Sequence, residues 1–556
     1  MEVADVLVGL NLDLEKIDQP LPEIFSKTLN IIETFASRIA VLNEENQKLR
    51  NEINILKGEQ GKPYVRKQTV PPKDISSESE RAPRNKSKKR RAKKKGVILV
   101  DRTERCSISK TDLPADVQFK GLTSVIVQDI KICTNNVEFQ KEVYYSPSLK
   151  KTFIAPNPPG YEGEFGPAIK ALILDMHHKA LVTESSIGAF LENHGAHISL
   201  STVSRILTGN LGDFHAEKEA IVSAGLGAGY QQMDDTSARI KGLNHYTHIL
   251  CNSFYTAYFT RRHKDRLTIL EILAQGEMCF HFNEIAYGLM EEMGLSVKRL
   301  QALRLNNPAP SMNREEVEDL LAACFPNPEN KRGHYASSQR IIREASAIAA
   351  YQSLPHAVKI LLADDAPQFK SITELLGLCW VHDGRHYKKL NPVLVTHKNI
   401  LASFQNMYWE YYRKLLAYKA APDINQADLL KAEFKCLFET RTGYEELDNR
   451  IAKTKLKEAS LLLVLYHPEL PLHNNASELG ARKQARYRDI SLHTMSRAGT
   501  DAKDTFMTIV ETAKKLAVNT YDYFYDRLTK KYKMNSLANT IKEKFQRADF
   551  TYYSTA

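Results

Sequence analysis

The sequence lacks paired cysteines and long apolar runs. Its seven cysteines, spread over 556 residues, include no Cys-x-x-Cys pair, which excludes a zinc ribbon, gives no disulfide framework and predicts reduced thiols. No apolar run approaches the roughly 18 residues that a membrane helix requires. Acidic residues near the N-terminus are atypical of a secretory signal. We therefore expect a cytoplasmic protein with no membrane partner.

Positive charge is in excess. The chain has 77 Lys and Arg against 66 Asp and Glu, a formal charge of +11, which favours a polyanionic partner. Residues 58–96 are polar and rich in Pro, Ser and Lys, so we predict a disordered basic linker. A basic run there would bind DNA phosphates through Lys88, Lys89, Arg90 and Arg91. A purely solvated linker and a nuclear import signal fit the same composition.

A short heptad pattern lies within residues 1–57. In the heptad register, the a and d positions are Ile39, Leu42, Asn46, Leu49, Ile53 and Leu56. Ile at a with Leu at d favours a parallel two-stranded coil, and one Asn at a specifies register. We predict an N-terminal coiled coil and a homodimer. An amphipathic helix packed on its own chain is the alternative.

Two smaller units should precede the main domain. Residues 97–160 contain β-branched and aromatic stretches that predict a small β-rich domain. Residues 161–222 are helical, and a turn followed by a Ser-capped helix is typical of a helix-turn-helix. Thr202, Ser204 and Arg205 would face DNA from the second helix. Helix packing without DNA contact is the alternative.

Residues 223–500 predict a mixed α/β domain with an RNase H-like core. Three strands precede a helix, and two later strands alternate with a helix, which indicates a sheet with a parallel part. Helical insertions are expected at about 280–355 and 384–465, and C-terminal helices over 501–556.

Carboxylates mark the ends of these predicted elements. Asp234 should end the first strand, Asp364 should end a later strand, and Glu478 lies in the first turns of a helix. Three such groups could hold two Mg²⁺ ions over a phosphodiester. Asp235 and Asp365 are alternative ligands, because the register at a strand end is uncertain. With 66 acidic residues available, composition alone makes this a weak signal.

Five segments together resemble transposases of the bacterial insertion sequence 66 family. In chain order they are MDDTSARI, LLADDAPQF, GLCWVHDGRHYKK, LPLHNNASELGAR and IVETAKKLAVNTYDYF. The resemblance covers about residues 165–530. It implies a DDE transposase that cleaves transposon ends and joins the 3′-hydroxyl to target DNA. It also implies two Mg²⁺ ions, for which Mn²⁺ can substitute, and a double-stranded DNA partner.

The resemblance assigns roles to residues. It implies that Asp234, Asp364 and Glu478 are the catalytic metal ligands. It implies supporting roles for residues beside them and a DNA contact at Arg482. The supporting residues are Thr236, which would support the turn after Asp234, and Asn474, Asn475, Cys379 and His382.

Some roles have simpler interpretations. Asn474 and Asn475 would be turn and cap residues. Cys379 and His382 would pack beside the site, because Cys-x-x-His alone lacks two zinc ligands. Arg482, four residues after Glu478, would contact either a phosphate or a carboxylate.

This chain also departs from the family pattern. Asp235, Asp365 and His473 replace the usual residues, and the N-terminal zinc-finger cysteines are missing. The resemblance further implies a multimer in the bacterial cytoplasm, associated with the nucleoid. Two other functions remain open: a catalytically inactive dimeric DNA-binding protein, and an RNase H-like nuclease without strand transfer.

Overall fold

The computed structural model describes residues 23–56, 100–108, 116, 118, 120–209, 211–227, 229–306, 308–326 and 335–547. The predicted basic linker, with Lys88, Lys89, Arg90 and Arg91, lies outside these residues. Among the described helices, none is both long enough and apolar enough to cross a bilayer.

The N-terminal half begins with a long helix and a small hairpin. In chain order its elements are α1 (Glu23–Leu56), β1 (Val143–Ser146), β2 (Lys151–Ile154), α2 (Pro167–Leu174), α3 (Glu184–Asn193), α4 (Leu200–Thr208) and α5 (Leu211–Leu226). A π-helical turn, Asp175–Lys179, extends α2. Thr183 and Ser199 cap α3 and α4 through their side chains. The predicted helix at the N-terminus and the predicted helical segment after residue 161 are both present.

The β-rich domain predicted over 97–160 is not formed by its described residues. They contain one two-stranded hairpin, and residues 120–142 contain no strand. A two-stranded hairpin is marginal unless an apolar face is covered. Here the apolar side chains stay in solvent, with Ile130 85% exposed. These residues have β-forming composition, but the described part of the chain offers no layer for them to pack against.

The sheet region and its first helical insertion follow. Their elements are β3 (Gln231–Ile240), β4 (Leu243–Cys251), β5 (Thr256–Arg261), α6 (Arg266–Ala274), β6 (Phe280–His281), α7 (Glu284–Glu292), α8 (Val297–Leu305), β7 (Ser311–Met312), α9 (Arg314–Cys324), α10 (Ala336–Gln352), β8 (Ile360–Ala363) and β9 (Leu375–Leu378). A pair of two-residue strands, β6 and β7, interrupts the predicted helical insertion.

The remaining elements are helices. They are α11 (Trp380–Lys388), α12 (Val395–Ala420), α13 (Ile424–Glu439), α14 (Glu445–Lys455), α15 (Glu458–Leu461), α16 (Asn475–Ser491), α17 (Arg497–Leu516), α18 (Thr520–Leu528) and α19 (Leu537–Arg547). Helices α11 to α15 cover the region where the second helical insertion is predicted. It has its own core, rich in aromatic residues and including Trp380, Tyr408 and Phe434.

The central sheet has five strands in the order β5-β4-β3-β8-β9. Strands β3, β4 and β5 pair antiparallel, whereas β8 pairs parallel to both β3 and β9. The fold class is therefore mixed α/β, as predicted. Helix α17 packs on β5, and α16 packs on β3 and β4, so helices cover the sheet near its acidic residues.

Strand β3 does not end at Asp234. It continues to Ile240 and pairs with β4 along its length. Lys241 and Gly242 then form a two-residue turn with positive φ angles of 48° and 76°, the geometry that matches the twist of a tight hairpin. The prediction of a strand end was wrong because the antiparallel partner extends β3 beyond its parallel pairing with β8.

Candidate active site

Strand register brings the first two predicted carboxylates together. In the parallel pairing of β3 and β8, Gln231 lies opposite Leu361 and Gln232 lies opposite Leu362. The same register, continued by two residues, sets Asp234 beside Asp364. Adjacent strands lie about 4.8 Å apart, so the two carboxylates lie side by side just after the end of β8 and within the length of β3.

Helix α16 brings Glu478 to the same face of the sheet. Gly480 packs against Ile249, the residue opposite Asp234 on β4. A Cβ at Gly480 would lie 2.7 Å from Cγ2 of Ile249, so only glycine allows this close approach. The Tyr258 hydroxyl also donates a hydrogen bond to the Gly480 carbonyl at 3.3 Å. These contacts fix the first turn of α16, which carries Glu478, over β3.

Asn474 connects this helix directly to the strand. Its side-chain nitrogen donates to the carbonyl of Met233 at 2.8 Å, immediately before Asp234. Asn474 occupies the cap position, but its side chain makes no capping hydrogen bond. The predicted cap position of Asn474 is therefore correct, but its side chain makes a tertiary contact instead of a capping hydrogen bond. Asn475 begins α16, and its backbone N–H donates to His473 Nδ1 at 3.1 Å.

The pKa of Asp234 reflects its burial and the other carboxylates around it. Burial raises its pKa to about 7, a hydrogen bond from the Asp235 backbone opposes the rise, and the negative charges of Asp364, Asp235 and Glu478 add to it. Burial also raises the pKa of Asp364, although the Ala366 backbone donates to its Oδ1 at 3.1 Å. Neither Asp234 nor Asp364 makes an ion pair with a described residue.

Glu478 differs because it has a cationic partner. Arg385 donates from Nη2 to Glu478 Oε2 at 3.0 Å and from Nη1 to His382 Nε2 at 2.9 Å. The other carboxylate oxygen, Oε1, is buried without a hydrogen-bond partner among the described residues. Sequence reasoning did not single out Arg385. Arg385 follows His382 by three residues, a spacing that places two side chains on the same face of a helix. That spacing was the signal in the sequence that could have identified Arg385.

The neighbouring aspartates are engaged elsewhere. Asp235 lies 3.5 Å from Lys264 Nζ and accepts from Gln368 at 3.1 Å, and strand alternation directs it away from Asp234. Asp365 lies 2.6 Å from Lys457 Nζ and 3.5 Å from Lys370 Nζ. Although burial opposes the change, these lysines lower the pKa of Asp365. Within the described part of the chain, Asp235 and Asp365 pair with lysines, whereas Asp234 and Asp364 have no ion-pair partner.

Cys379 and His382 lie beside Glu478. One ligand atom from each of the three residues falls within 4.8 Å of the other two. Asn474 donates its backbone N–H to the Cys379 sulfur at 3.2 Å. Burial raises the pKa of the Cys379 thiol to about 12 despite this donor. The Cys-x-x-His motif in the sequence contains two potential metal ligands, and folding brings Glu478 beside them as a potential third.

The other predicted residues are placed less centrally. Arg205 is exposed on α4 and donates to Thr202 Oγ1 at 3.2 Å, whereas Thr202 and Ser204 are half-buried. Arg482 is half-buried on α16, one turn after Glu478. Thr236 lies within β3 opposite Thr247, so the expectation that it supports a turn was wrong.

Comparison with known proteins gives one named similarity. The chain is similar to the uncharacterized protein y4jO of Sinorhizobium fredii, with 29% identity over 313 residues, which is 55% of this chain and 94% of that protein. No family model matches the chain.

Proposed function

We propose that this protein is a DDE transposase, which cleaves DNA at transposon ends and joins the 3′-hydroxyl to target DNA. One observation carries the proposal. The parallel register of β3 and β8, continued to the residue just after β8, sets Asp364 beside Asp234, and α16 carries Glu478 across the same face. In the sequence, Asp364 follows Asp234 by 130 residues and Glu478 follows Asp364 by 114 residues. The approach of these three groups therefore depends entirely on folding.

The sheet supports an RNase H-like core as part of this proposal. Such a core is expected to have three antiparallel strands followed by two parallel strands, with an acidic residue on the first strand. The observed order, with β3 at the centre and β8 parallel beside it, agrees with that expectation. The helical insertion α11 to α15 separates Asp364 from Glu478 in the chain and folds around its own aromatic core.

The donor set fits Mg²⁺, with Mn²⁺ as a substitute. Asp234, Asp364 and Glu478 offer the hard oxygen ligands that Mg²⁺ prefers. Burial is the main cause of the raised pKa values of Asp234 and Asp364, and neighbouring carboxylates add to the rise, so a bound cation would stabilise the ionised form of both groups. Two bound ions would activate the attacking oxygen and neutralise the leaving oxygen of the phosphodiester.

The protein's own residues would position the DNA around this centre. Arg385 and Arg482 place positive charge beside Glu478, where a scissile phosphate would lie. The α3–α4 pair would contact duplex DNA through the exposed Arg205, and the basic linker would add contacts that depend on salt. A dimer or larger multimer would hold two transposon ends together.

The test is strand transfer with linear DNA carrying the sequences that flank this reading frame. We expect cleavage and joining only when Mg²⁺ or Mn²⁺ is present. Asp364→Ala should reduce both to the level of protein-free DNA. The matched control is Asp365→Ala, which removes the adjacent carboxylate and should retain metal-dependent cleavage. Full cleavage by Asp364→Ala would overturn the proposal.

The products separate the two alternatives. Cut ends without joined products would indicate an RNase H-like nuclease. Normal DNA binding with no metal-dependent nicking would indicate a DNA-binding protein without catalysis, for which α3, α4 and the basic linker would suffice. Either result, obtained with folded protein, would count against transposition.

A further inference from the structure

We propose that Cys379, His382 and Glu478 form a second cation site, selective for a thiophilic divalent ion such as Zn²⁺, that competes with the Mg²⁺ site for Glu478. Part of this inference, the competition, rests on the proposed function. The site itself rests on the geometry of three side chains and on the donors that surround the sulfur.

The three ligand atoms are close to the spacing that one ion requires. His382 Nδ1 and Glu478 Oε1 are 3.7 Å apart. A tetrahedral ion with bonds of about 2.1 Å would set them about 3.4 Å apart. The Cys379 sulfur completes a set that spans no more than 4.8 Å. Both the Nδ1 and Oε1 atoms are buried, and neither has a hydrogen-bond partner among the described residues.

The surroundings of Cys379 suit a metal-bound thiolate. Cys379 occupies the cap position of α11, and its sulfur accepts a hydrogen bond from the Asn474 backbone N–H at 3.2 Å. The backbones of Asn474, His382 and Val381 all favour its negative form. Hydrogen bonds of this kind to a ligand orient it and tune its charge. A purely apolar packing role for Cys379 would not need the hydrogen bond that its sulfur accepts from Asn474.

Binding has a defined proton balance. The thiol S–H bond breaks, its proton leaves to the solvent, and sulfur forms the bond to the ion. In the present arrangement Arg385 donates to His382 Nε2, which places the ring proton on Nδ1. Coordination through Nδ1 moves that proton to Nε2 and ends this hydrogen bond. The bond from Arg385 Nη2 to Glu478 Oε2 can remain.

Selectivity follows from the ligand types. Thiolate and imidazole ligands suit Zn²⁺ and Co²⁺, whereas Mg²⁺ prefers oxygen. Glu478 Oε1 serves the thiophilic site in this proposal, and the same carboxylate serves the Mg²⁺ site in the proposed reaction. Occupation by Zn²⁺ would hold Glu478 toward α11 and away from Asp234 and Asp364. The expected consequence is inhibition of DNA cleavage by Zn²⁺ in the presence of Mg²⁺.

The direct test uses Co²⁺, whose bond to a thiolate absorbs in the near ultraviolet. Full-length, metal-free protein would be titrated in a background in which the exposed cysteines are replaced by serine; these are Cys106, Cys133, Cys279 and Cys436. We expect one equivalent of Co²⁺ to give the thiolate band and Zn²⁺ to displace it. The readout does not depend on DNA cleavage.

Two variants and a control make the test specific. Cys379→Ser should abolish the band, and His382→Gln should weaken Co²⁺ binding by about 100-fold or more, since outer-shell partners alone are worth about 10- to 100-fold. The matched control, Cys324→Ser, removes a cysteine on α9 and should retain the band. Circular dichroism would confirm that each variant is folded. The absence of a band in the parent protein, or its persistence in Cys379→Ser, would overturn the site.

Zinc inhibition is then measured on the same samples as the ratio of cleavage with and without Zn²⁺. Strong inhibition of the parent, relieved in His382→Gln relative to that variant's own rate, would support the competition for Glu478. A cobalt band with no zinc inhibition would leave the site in place but remove the shared role of Glu478 from the proposed reaction. The two failures are therefore distinguishable.

Discussion

Arg385, in the last turn of α11, and Glu478, in the first turn of α16, form an ion pair with Nη2 and Oε2 separated by 3.0 Å. Helix α11 supplies the arginine and α16 the glutamate, although 93 residues separate them. The pair places positive charge on the carboxylate that we propose as the third metal ligand. No described residue forms such an ion pair with Asp234 or Asp364, so the positive charge in this site is concentrated beside Glu478.

Removing Arg385 should make the stability of the protein depend more strongly on bound metal. Arg385→Gln leaves Glu478 mostly buried with no cation, so we expect the free energy of unfolding to fall by about 1 to 2 kcal/mol in metal-free buffer. Mn²⁺ should then raise the melting temperature of the variant more than that of the parent. Arg413→Gln, which breaks an exposed pair with Glu410, is the control and should change little. Equal stabilisation of both variants by Mn²⁺ would contradict the prediction.

The raised pKa of Asp234 predicts a pH effect with a definite sign. Burial raises this pKa from 3.8 to about 7, so between these values the folded state holds a proton that the unfolded state releases. In metal-free buffer, stability should therefore fall as pH rises through that window. Asp234→Asn removes the effect and should be more stable than the parent above pH 7, by about 2 to 4 kcal/mol.

Equilibrium denaturation at a series of pH values measures this effect. The variant should also lose metal-dependent cleavage, because the same carboxylate is a proposed ligand. Asp235→Asn serves as the comparison, since Asp235 pairs with Lys264 and Gln368 instead. If the stability of the parent protein rose from pH 5 to 7 as steeply as that of Asp234→Asn, the result would contradict our assignment of a raised pKa to Asp234.

A buried glutamate anchors the N-terminal helix to the second insertion. Glu33 on α1 is 3% exposed and accepts hydrogen bonds from the backbones of Val393 and Leu394, at the start of α12, and from His397. Glu33→Ala should cost about 3 kcal/mol or more, because it leaves these donors buried without an acceptor. Hydrogen exchange should speed up at residues 393 and 394 and along α1.

The same contact predicts weakening at low pH. The hydrogen bonds from His397 and from the two backbones outweigh burial and lower the pKa of Glu33. Its stabilisation should be complete above the pKa of an unfolded glutamate and lost as pH falls through the folded value. Glu45→Ala, on the exposed part of α1, is the control and should leave exchange at residues 393 and 394 unchanged. Faster exchange in that control would indicate general unfolding.

The heptad prediction can be tested with two equally exposed positions. Leu49 lies on the predicted seam and is 55% exposed, whereas Val41 lies outside the seam and is 56% exposed. We expect the parent protein to sediment as a dimer and Leu49→Asp to shift it toward monomer, because a charge would be buried in the seam. Val41→Asp should remain dimeric. A monomeric parent, or equal effects of both substitutions, would rule out pairing through this helix.

Local patterns in the sequence were enough to predict much of the secondary structure. Thr183 and Ser199 cap their helices as such residues do in general, and alternating apolar residues marked β3, β4 and β5. These signals depend on neighbours within a few residues. The segment around Ile130 had the same β-forming composition, but none of the described residues pairs with it as a strand, so the β structure predicted there is not found.

The sequence by itself determined which side chains were available: the paired aspartates, the Cys-x-x-His motif, and a glutamate at a helix start. Only the tertiary structure decided which of them meet. Parallel register set Asp234 beside Asp364, strand alternation turned Asp235 away, and Lys457 paired with Asp365. Close packing at Gly480 then brought Glu478 over the strand and beside Cys379. These contacts join groups about a hundred residues apart, and no local pattern contains that information.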